Sequence, residues 1–525
     1  MIMWLKRCRL LFCVVLVVHL AGRPITGNGD FYTAGVAEFR PAVFGGSSEQ
    51  LLEENLQGYL ELIGAANGSS DILVFPEATL NSVLQLTAVP AQTEHSLCEP
   101  HDGDDPRVAE FLRRLACAAR NARTYLVVNV KERAEEEATS VGDRGYSIYN
   151  TNVVFDRNGA VVSRYRKWNL YLEPLTNRTP SAELATFRTD FGVTFGHFIC
   201  FDMLFYTPAQ ELVERLGMRH VIVTKMFNSE LPFLTASQLQ QGWAWANNVT
   251  LLAAGASMPQ AGISGSGIYA GQRGALTRIM VSDRTEGQRQ LLLAQVPTDG
   301  SQWTPTEPPP ADEGDGAGVQ LKLLQQPDIG SYATWALPLV NGSSASKRLC
   351  QADLCCDFRL SWNLLGARPE YHYRLGVSVA ERRYEQEQYS SIRVCGLFAC
   401  RDGSLESCGL LSNRDAEGSG DGVEFTALRI SGEFVRRTRR LLMPSTLTSA
   451  LYALQPSEVA WTMQEVPAND SHTHTQLELC QPQSHLLTFA LYGNYFEEFA
   501  SSGVAAVGRG MLTMWLLLLT MLACA

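Results

Sequence analysis

The sequence predicts an α/β layered domain followed by a smaller β-rich, disulfide-containing domain. Three observations carry this. Strand-like and helix-like segments alternate from Phe31 to about Val296. Between Trp303 and Gly318 that pattern gives way to Thr304-Pro305-Thr306-Glu307-Pro308-Pro309-Pro310 and Ala311-Asp312-Glu313-Gly314-Asp315-Gly316, which cannot build a core and read as a linker or long loop. After it the helical periodicity fades, and seven cysteines lie between residues 340 and 500. The expected boundaries are 30–300 for the first domain, 301–318 for the linker and 319–500 for the second domain.

Each element of the first domain has a local reason. Ser48 to Leu62 spaces Leu51, Leu52, Leu56 and Leu60, with Ile63 just beyond, at helical intervals between acids, so it reads as an amphipathic helix feeding a strand at Ile72. A second helix is expected over Val108 to Ala122, then a strand over Thr124 to Val130. Asn152-Val153-Val154-Phe155 and Ala160-Val161-Val162 flank Asp156-Arg157-Asn158-Gly159, and Asn-Gly between apolar runs signals a hairpin. Thr207-Pro208 is expected to open a helix through Leu216, with proline in its first turn. His220 to Thr224 reads as a strand, Ser237 to Asn247 as a helix and Leu251 to Ala254 as the strand after it. In the second domain Tyr371 to Val379 and Leu486 to Tyr492 read as strands.

The ends suggest export and anchoring. Lys6, Arg7 and Arg9 precede the apolar run Leu10 to Val18, with small residues at Ala21-Gly22, so residues 1–22 read as a secretory signal peptide. That run falls short of the about 20 residues a membrane span takes. Ser501-Ser502-Gly503, a short spacer and the apolar stretch Met511 to Ala525 without a basic tail fit a GPI-attachment signal. Attachment is expected at or near Ser501, Ser502 or Gly503, with 503–525 as the propeptide. A single-span type I anchor is the alternative.

Export makes disulfides the expected use of cysteine. Of 13 cysteines, Cys8, Cys13 and Cys524 lie in the expected leader and tail. If Cys200 is a free nucleophile, an odd number remains, so at least one further thiol is free or bonded to another molecule. Asn67, Asn177, Asn248, Asn341 and Asn469 begin N-x-S/T sequons. The net charge is −11, and the one dense basic stretch, Arg436-Arg437-Thr438-Arg439-Arg440, reads as a solvated face rather than a nucleic-acid footprint. No metal-ligand motif is present, no cofactor is implied, and Gly265-Ser266-Gly267 lacks the strand-to-helix setting of a nucleotide loop.

Three apolar runs each deliver one ionisable residue. Asp71 to Pro76 leads to Glu77, Val161 to Arg166 leads to Lys167, and Phe195 to Ile199 leads to Cys200. A carboxylate, an ammonium and a thiol form the working parts of a cysteine amidase acting on a small-molecule amide. A free thiol with a pKa of about 8.5 needs activation. A neighbouring lysine would lower that value, and Glu77 would take the proton and return it to the leaving amine. Lys167, with a backbone N–H at Phe201, would hold the oxyanion. Singly, each residue has a plainer reading: a helix N-cap acid, an exposed cation beside Arg164 and Arg166, a core cysteine.

These segments resemble the carbon–nitrogen hydrolase (nitrilase) superfamily, and more closely its vanin/biotinidase branch. The likeness rests on Phe75-Pro76-Glu77, Asn150 to Asp156, Tyr165 to Leu170, Cys200 to Phe205, Gly242 to Ala246 and Gly265 to Ala270. It continues through Leu354-Cys355-Cys356, Val394 to Cys400 and Ser407-Cys408-Gly409, and so spans nearly the whole mature chain. The resemblance implies an α-β-β-α sandwich with Glu77 as proton acceptor, Lys167 as oxyanion stabiliser and Cys200 as nucleophile. It also implies a second glutamate after the lysine, for which Glu173 is the nearest candidate. The implied activity is hydrolysis of pantetheine to pantothenate and cysteamine. Cleavage of biotin amides is the alternative, and a non-catalytic surface adhesion or receptor protein a further one. One departure stands out: where the family reads Pro-Thr-Ala-Trp after the strand following the nucleophile, this chain reads Thr224-Lys225-Met226-Phe227. A lysine there bears on specificity and on activity.

Overall fold

The computed structural model describes residues 31–99, 101–103, 105–136, 145–298, 320–366, 369–384, 388–412, 422–465 and 471–496. The expected leader, linker and attachment signal, and the sequon at Asn469, lie outside the described residues. The first domain runs β1 (Phe31–Phe39), α1 (Ser48–Ala66), β2 (Ile72–Val74), α2 (Glu110–Ala122), β3 (Tyr125–Glu135), β4 (Tyr146–Phe155), β5 (Val161–Arg166), β6 (Thr186–Arg188) and β7 (Thr194–Ile199). It continues with α3 (Glu211–Glu214), β8 (His220–Lys225), β9 (Glu230–Leu231), α4 (Ala236–Asn247), β10 (Thr250–Ala256), β11 (Ser266–Ala270), β12 (Ala275–Ile279) and β13 (Arg289–Pro297).

Two sheets lie face to face. One has the order β5-β4-β3-β2-β1-β13, the other β6-β7-β8-β10-β11-β12. They join only where Glu38 and Phe39 of β1 meet Gly255 and Ala256 of β10. Val36, Val74 and Val127 from the first sheet and Phe195, Ile222 and Leu252 from the second share the apolar layer between them. Leu56, Tyr59 and Ile63 of α1 and Leu112, Leu115 and Ala119 of α2 cover the outer face of the first sheet. Helix α4 packs on the second, which completes the expected α-β-β-α order. Strands buried on both faces explain the continuous apolar runs of β2, β7 and β8.

Local chemistry sets the boundaries. Ser47 and Gln50 form a capping box at the start of α1. Gly159 turns the β4–β5 hairpin at φ +82°, a conformation open to glycine. The helix expected over Thr207–Leu216 is regular only from Glu211 to Glu214. Thr207 is extended, at φ −102° and ψ 126°, because the ring of Pro208 crowds the residue before it.

The second domain is a sandwich of two five-stranded antiparallel sheets, preceded by the short β14 (Leu324–Gln325), which pairs with β9. Its strands are β15 (Ala333–Ala336), β16 (Ser343–Gln351), β17 (Leu354–Leu364), β18 (His372–Arg383), β19 (Tyr389–Cys400), β20 (Val423–Val435), β21 (Arg440–Thr448), β22 (Val459–Glu465), β23 (His472–Leu479) and β24 (Leu486–Tyr495). The orders are β15-β18-β19-β24-β21 and β16-β17-β20-β23-β22. Cys356–Cys395 ties the two sheets together. Cys350–Cys355 closes the β16–β17 hairpin, and Cys400–Cys408 the turn after β19. Cys98–Cys117 pins the long loop before α2 to that helix. Cys200 and Cys480 are free, as the odd count requires. The basic run at 436–439 is an exposed turn between β20 and β21.

One apolar core runs through both domains, and α4 is its hinge of contact. A Cβ at Gly242 would lie 2.5 Å from the Pro444 carbonyl oxygen, so glycine is what lets the helix backbone approach β21. Ser237 Oγ donates to the Leu451 carbonyl (2.6 Å), Thr488 Oγ1 to that of Pro232 (2.6 Å) and Asn494 Nδ2 to that of Leu204 (2.7 Å). The second domain is thereby fixed beside the turn that carries Cys200.

Candidate active site

Glu77, Lys167 and Cys200 follow β2, β5 and β7, and the sheets bring all three together. Lys167 Nζ lies 2.7 Å from Glu77 Oε1, and the thiol of Cys200 faces the same carboxylate. Lys167 is 2% exposed, which excludes the solvated-cation reading, and Glu77 is equally buried. Glu173 belongs with them: its Oε1 is 2.7 Å from Lys167 Nζ. The chain of charges extends to Lys131, whose Nζ is 2.8 Å from Glu173 Oε2. Lys131, Glu173, Lys167 and Glu77 thus alternate in sign, each charge paired before it reaches the thiol. Pairing is what makes such burial tolerable.

Polar side chains lock the geometry. Asn150 Nδ2 donates to Glu77 Oε1 and to Glu173 Oε2, each at 2.8 Å. The Met226 N–H donates to Glu77 Oε2 at 2.8 Å, and the Ala78 N–H to Asn129 Oδ1 at 2.9 Å. Asp202 ties the turn that carries Cys200 to the loop that carries Lys167. Its Oδ1 accepts from the Asn169 N–H (2.8 Å) and Asn169 Nδ2 (2.9 Å), and its Oδ2 from Tyr165 Oη (2.8 Å) and the Ile199 N–H (3.1 Å). Burial pushes the Asp202 carboxyl up to about 6. Cys200 itself sits at φ +46°, the left-handed region that non-glycine residues adopt at a cost of about 1–3 kcal/mol. The surrounding hydrogen bonds hold it there, at the start of a 3₁₀ turn whose next N–H belongs to Phe201.

The electrostatics correct one expectation. A nearby lysine was expected to lower the Cys200 pKa. Burial and the Glu77 charge raise it, and Lys167 offsets only part of that. The resting Cys200 side chain is therefore a thiol with a carboxylate beside it that could accept its proton. Burial alone would depress Lys167, but Glu173 and Glu77 outweigh it and keep the ammonium charged. Burial likewise works against the Glu173 anion, and Lys167 and Lys131 outweigh it, holding its pKa below the usual range.

Lys225, the departure from the family pattern, is buried at the same centre. Its Nζ donates to the Gly265 carbonyl and lies within electrostatic reach of Glu38, Cys200 and Glu77. Gly255 makes room, since a Cβ there would come within 2.8 Å of Nζ. Glu38 is held by Ser264 Oγ and Ser266 Oγ, both at 2.6 Å. Burial pulls Lys225 down to about 8.

Sequence reasoning missed Lys131, the Met226 N–H, the Asp202 clamp, and Arg382 and Tyr384 of the second domain, which line the pocket over Cys200. Asn150 and Asp202 stood in motifs already singled out, and two adjacent polar residues ending an apolar strand are the signal that marks Asp202. Asn67, Asn177, Asn248 and Asn341 are exposed.

Residues 41–249 match the carbon–nitrogen hydrolase family. With the four-layer fold, this makes the protein an amidohydrolase of that class. Residues 321–499 match the vanin C-terminal domain. Vanin-like protein 3 of Drosophila melanogaster is 63% identical, over 94% of this chain and 94% of its own. Vanin-like protein 1 of the same organism is 40% identical over 93% and 90%, and the biotinidase of Homo sapiens 28% over 93% and 93%. The chain belongs to the vanin/biotinidase family of carbon–nitrogen hydrolases.

Proposed function

We propose that this amidohydrolase cleaves pantetheine to pantothenate and cysteamine through a thioester on Cys200. The buried contact of Glu77 with both Lys167 and Cys200 carries the reading. As Cys200 Sγ attacks the amide carbon, its proton passes to Glu77. The oxyanion forms toward Lys167 Nζ and the Phe201 N–H. Collapse breaks the C–N bond, and Glu77 gives its proton to the departing amine. Water, deprotonated by Glu77, then attacks the thioester, and the thiol regains a proton as the acid leaves. Glu173 and Lys131 act through Lys167, keeping it charged and aimed.

Pantetheine is preferred to biotin amides because the vanin-like relatives match at 38–63% identity against 28–29% for the biotinidases. Turnover of pantetheine and biocytin by the purified protein, side by side, tests the choice. Pantetheine hydrolysed the faster is the expected result, and biocytin turnover without pantetheine turnover overturns it. A non-catalytic surface role has no use for a paired acid and amine at a buried thiol, and Cys200→Ala secreted with undiminished amidase activity would defeat the catalytic assignment. The basic and apolar leader, the sequons and the apolar tail support export, glycosylation and lipid anchoring at Ser501, Ser502 or Gly503 on the cell surface.

A further inference from the structure

The pocket over Cys200 is built by both domains. Phe201, Leu204 and Leu234 give it an apolar wall, and Glu230, Arg382 and Tyr384 add a polar patch. Arg382 and Tyr384 come from the end of β18 and the residue beyond it, about 180 positions from the nucleophile. Arg382 is 11% exposed. Its Nη2 grips Glu230, at 2.8 Å from Oε1 and 2.7 Å from Oε2. Its guanidinium carbon lies 5.0 Å from the Tyr384 ring centroid. Its Nη1 is buried without a hydrogen-bond partner among the described residues. So are both carboxylate oxygens of Asp328, which lies within electrostatic reach of Glu230 and Tyr384. Buried polar atoms are nearly always partnered, so an open Arg382 donor at the pocket wall marks a place for a group that accepts from it.

Charge decides which group. Glu230 already pairs with Arg382, and the Asp328 carboxyl is a further acidic group near that pair. A ligand carboxylate would meet an acid excess, and an ammonium would meet the guanidinium. A neutral group that accepts from Arg382 and can donate to a carboxylate fits both: a hydroxyl, an amide or a urea. The enclosed wall suits the acyl portion, which stays bound as the thioester while the amine departs and water enters.

We infer that Arg382, Glu230 and Tyr384 form a subsite for a neutral hydrogen-bonding group on the substrate's acyl chain, through which the second domain selects among amides. This rests on the amidase reading above. Arg382 is a specificity residue and touches no reacting atom.

The test compares pantetheine, biocytin and N-hexanoylcysteamine, whose acyl chain is plain alkyl, on the full-length wild-type protein and on the double variant Arg382→Gln/Glu230→Gln. The double variant avoids stranding one buried charge. Losing a hydrogen bond to a charged donor should cut the preference for the polar acyl amide over the hexanoyl amide by about tenfold or more, chiefly through KM. Arg382→Lys should keep part of the preference. Melting temperatures show that each variant is folded. An unchanged ratio, or an equal fall on all three amides, overturns the subsite and leaves the amidase reading intact. No cleavage of any of the three by wild type overturns both.

Discussion

Replacing Glu77 with glutamine keeps the side chain's size and removes one charge and one proton acceptor. Both carboxylate oxygens only accept: Oε1 from Lys167 (2.7 Å) and Asn150 (2.8 Å), Oε2 from the Met226 N–H (2.8 Å). A glutamine must turn its NH₂ toward one of these donors, which costs stability by about 1–3 kcal/mol. The catalytic loss is larger. General-base catalysis contributes about 10²- to 10⁴-fold, or about 3–5 kcal/mol of barrier. The same change removes the anion that, after burial, does most to hold the Cys200 thiol up, so the thiol pKa falls. Turnover and thiolate fraction therefore move in opposite directions, which simple misfolding does not produce. Cysteamine release from pantetheine reads the first, and the pH dependence of Cys200 alkylation by iodoacetamide, mapped on peptides, reads the second. Retention of more than a tenth of wild-type kcat, or a rise in the alkylation pKa, refutes the reasoning.

Further outcomes follow from other contacts. Protonated Lys225 favours the thiolate nearby; that charge is lost as pH rises through about 8, so kcat/KM should fall on the alkaline side, and Lys225→Met should lack that limb and start from a lower plateau. An unaltered limb in the variant contradicts this. Gly242→Ala drives a methyl to within 2.5 Å of the Pro444 carbonyl and should destabilise the domain contact by about 1–3 kcal/mol, read as a lower melting temperature. Phosphatidylinositol-specific phospholipase C should release the protein from intact cells, and retention after treatment counts against the lipid anchor.

The strands that carry the site were legible because β2 and β7 are apolar runs leading to an ionisable residue, the mark of a strand buried on both faces, while β5 alternates buried Val161, Ser163 and Tyr165 with half-buried Val162, Arg164 and Arg166. Their convergence was legible only through family likeness, since periodicity says nothing about which strand ends meet. Glu173 lies in an irregular loop; family likeness made it a candidate, and its contact with Lys167 is what ties it to the site. Lys131 occupies mid-strand on β3, where the pattern marks an outward position without saying which loop folds over it. The thiol's pKa was read in the wrong direction because a sequence names charged neighbours and is silent on burial. Arg382 and Tyr384 were invisible for the same reason: nothing local ties the end of β18 to a pocket in another domain. The helix expected from Thr207 is present, but it opens with a π turn before α3 and Thr207 itself is extended, the preference before proline that the opening Thr-Pro already displayed.

The central claim is that a thiol beside a buried acid and amine becomes acylated. Mixing the full-length protein with pantetheine, quenching in acid within a turnover and mapping peptides by mass spectrometry tests it directly. The expected adduct is one pantothenoyl group on the Cys200 peptide, removed by hydroxylamine and absent from Cys200→Ala. Hydrolysis that proceeds with Cys200 unmodified, or that survives its replacement by alanine, would contradict the account.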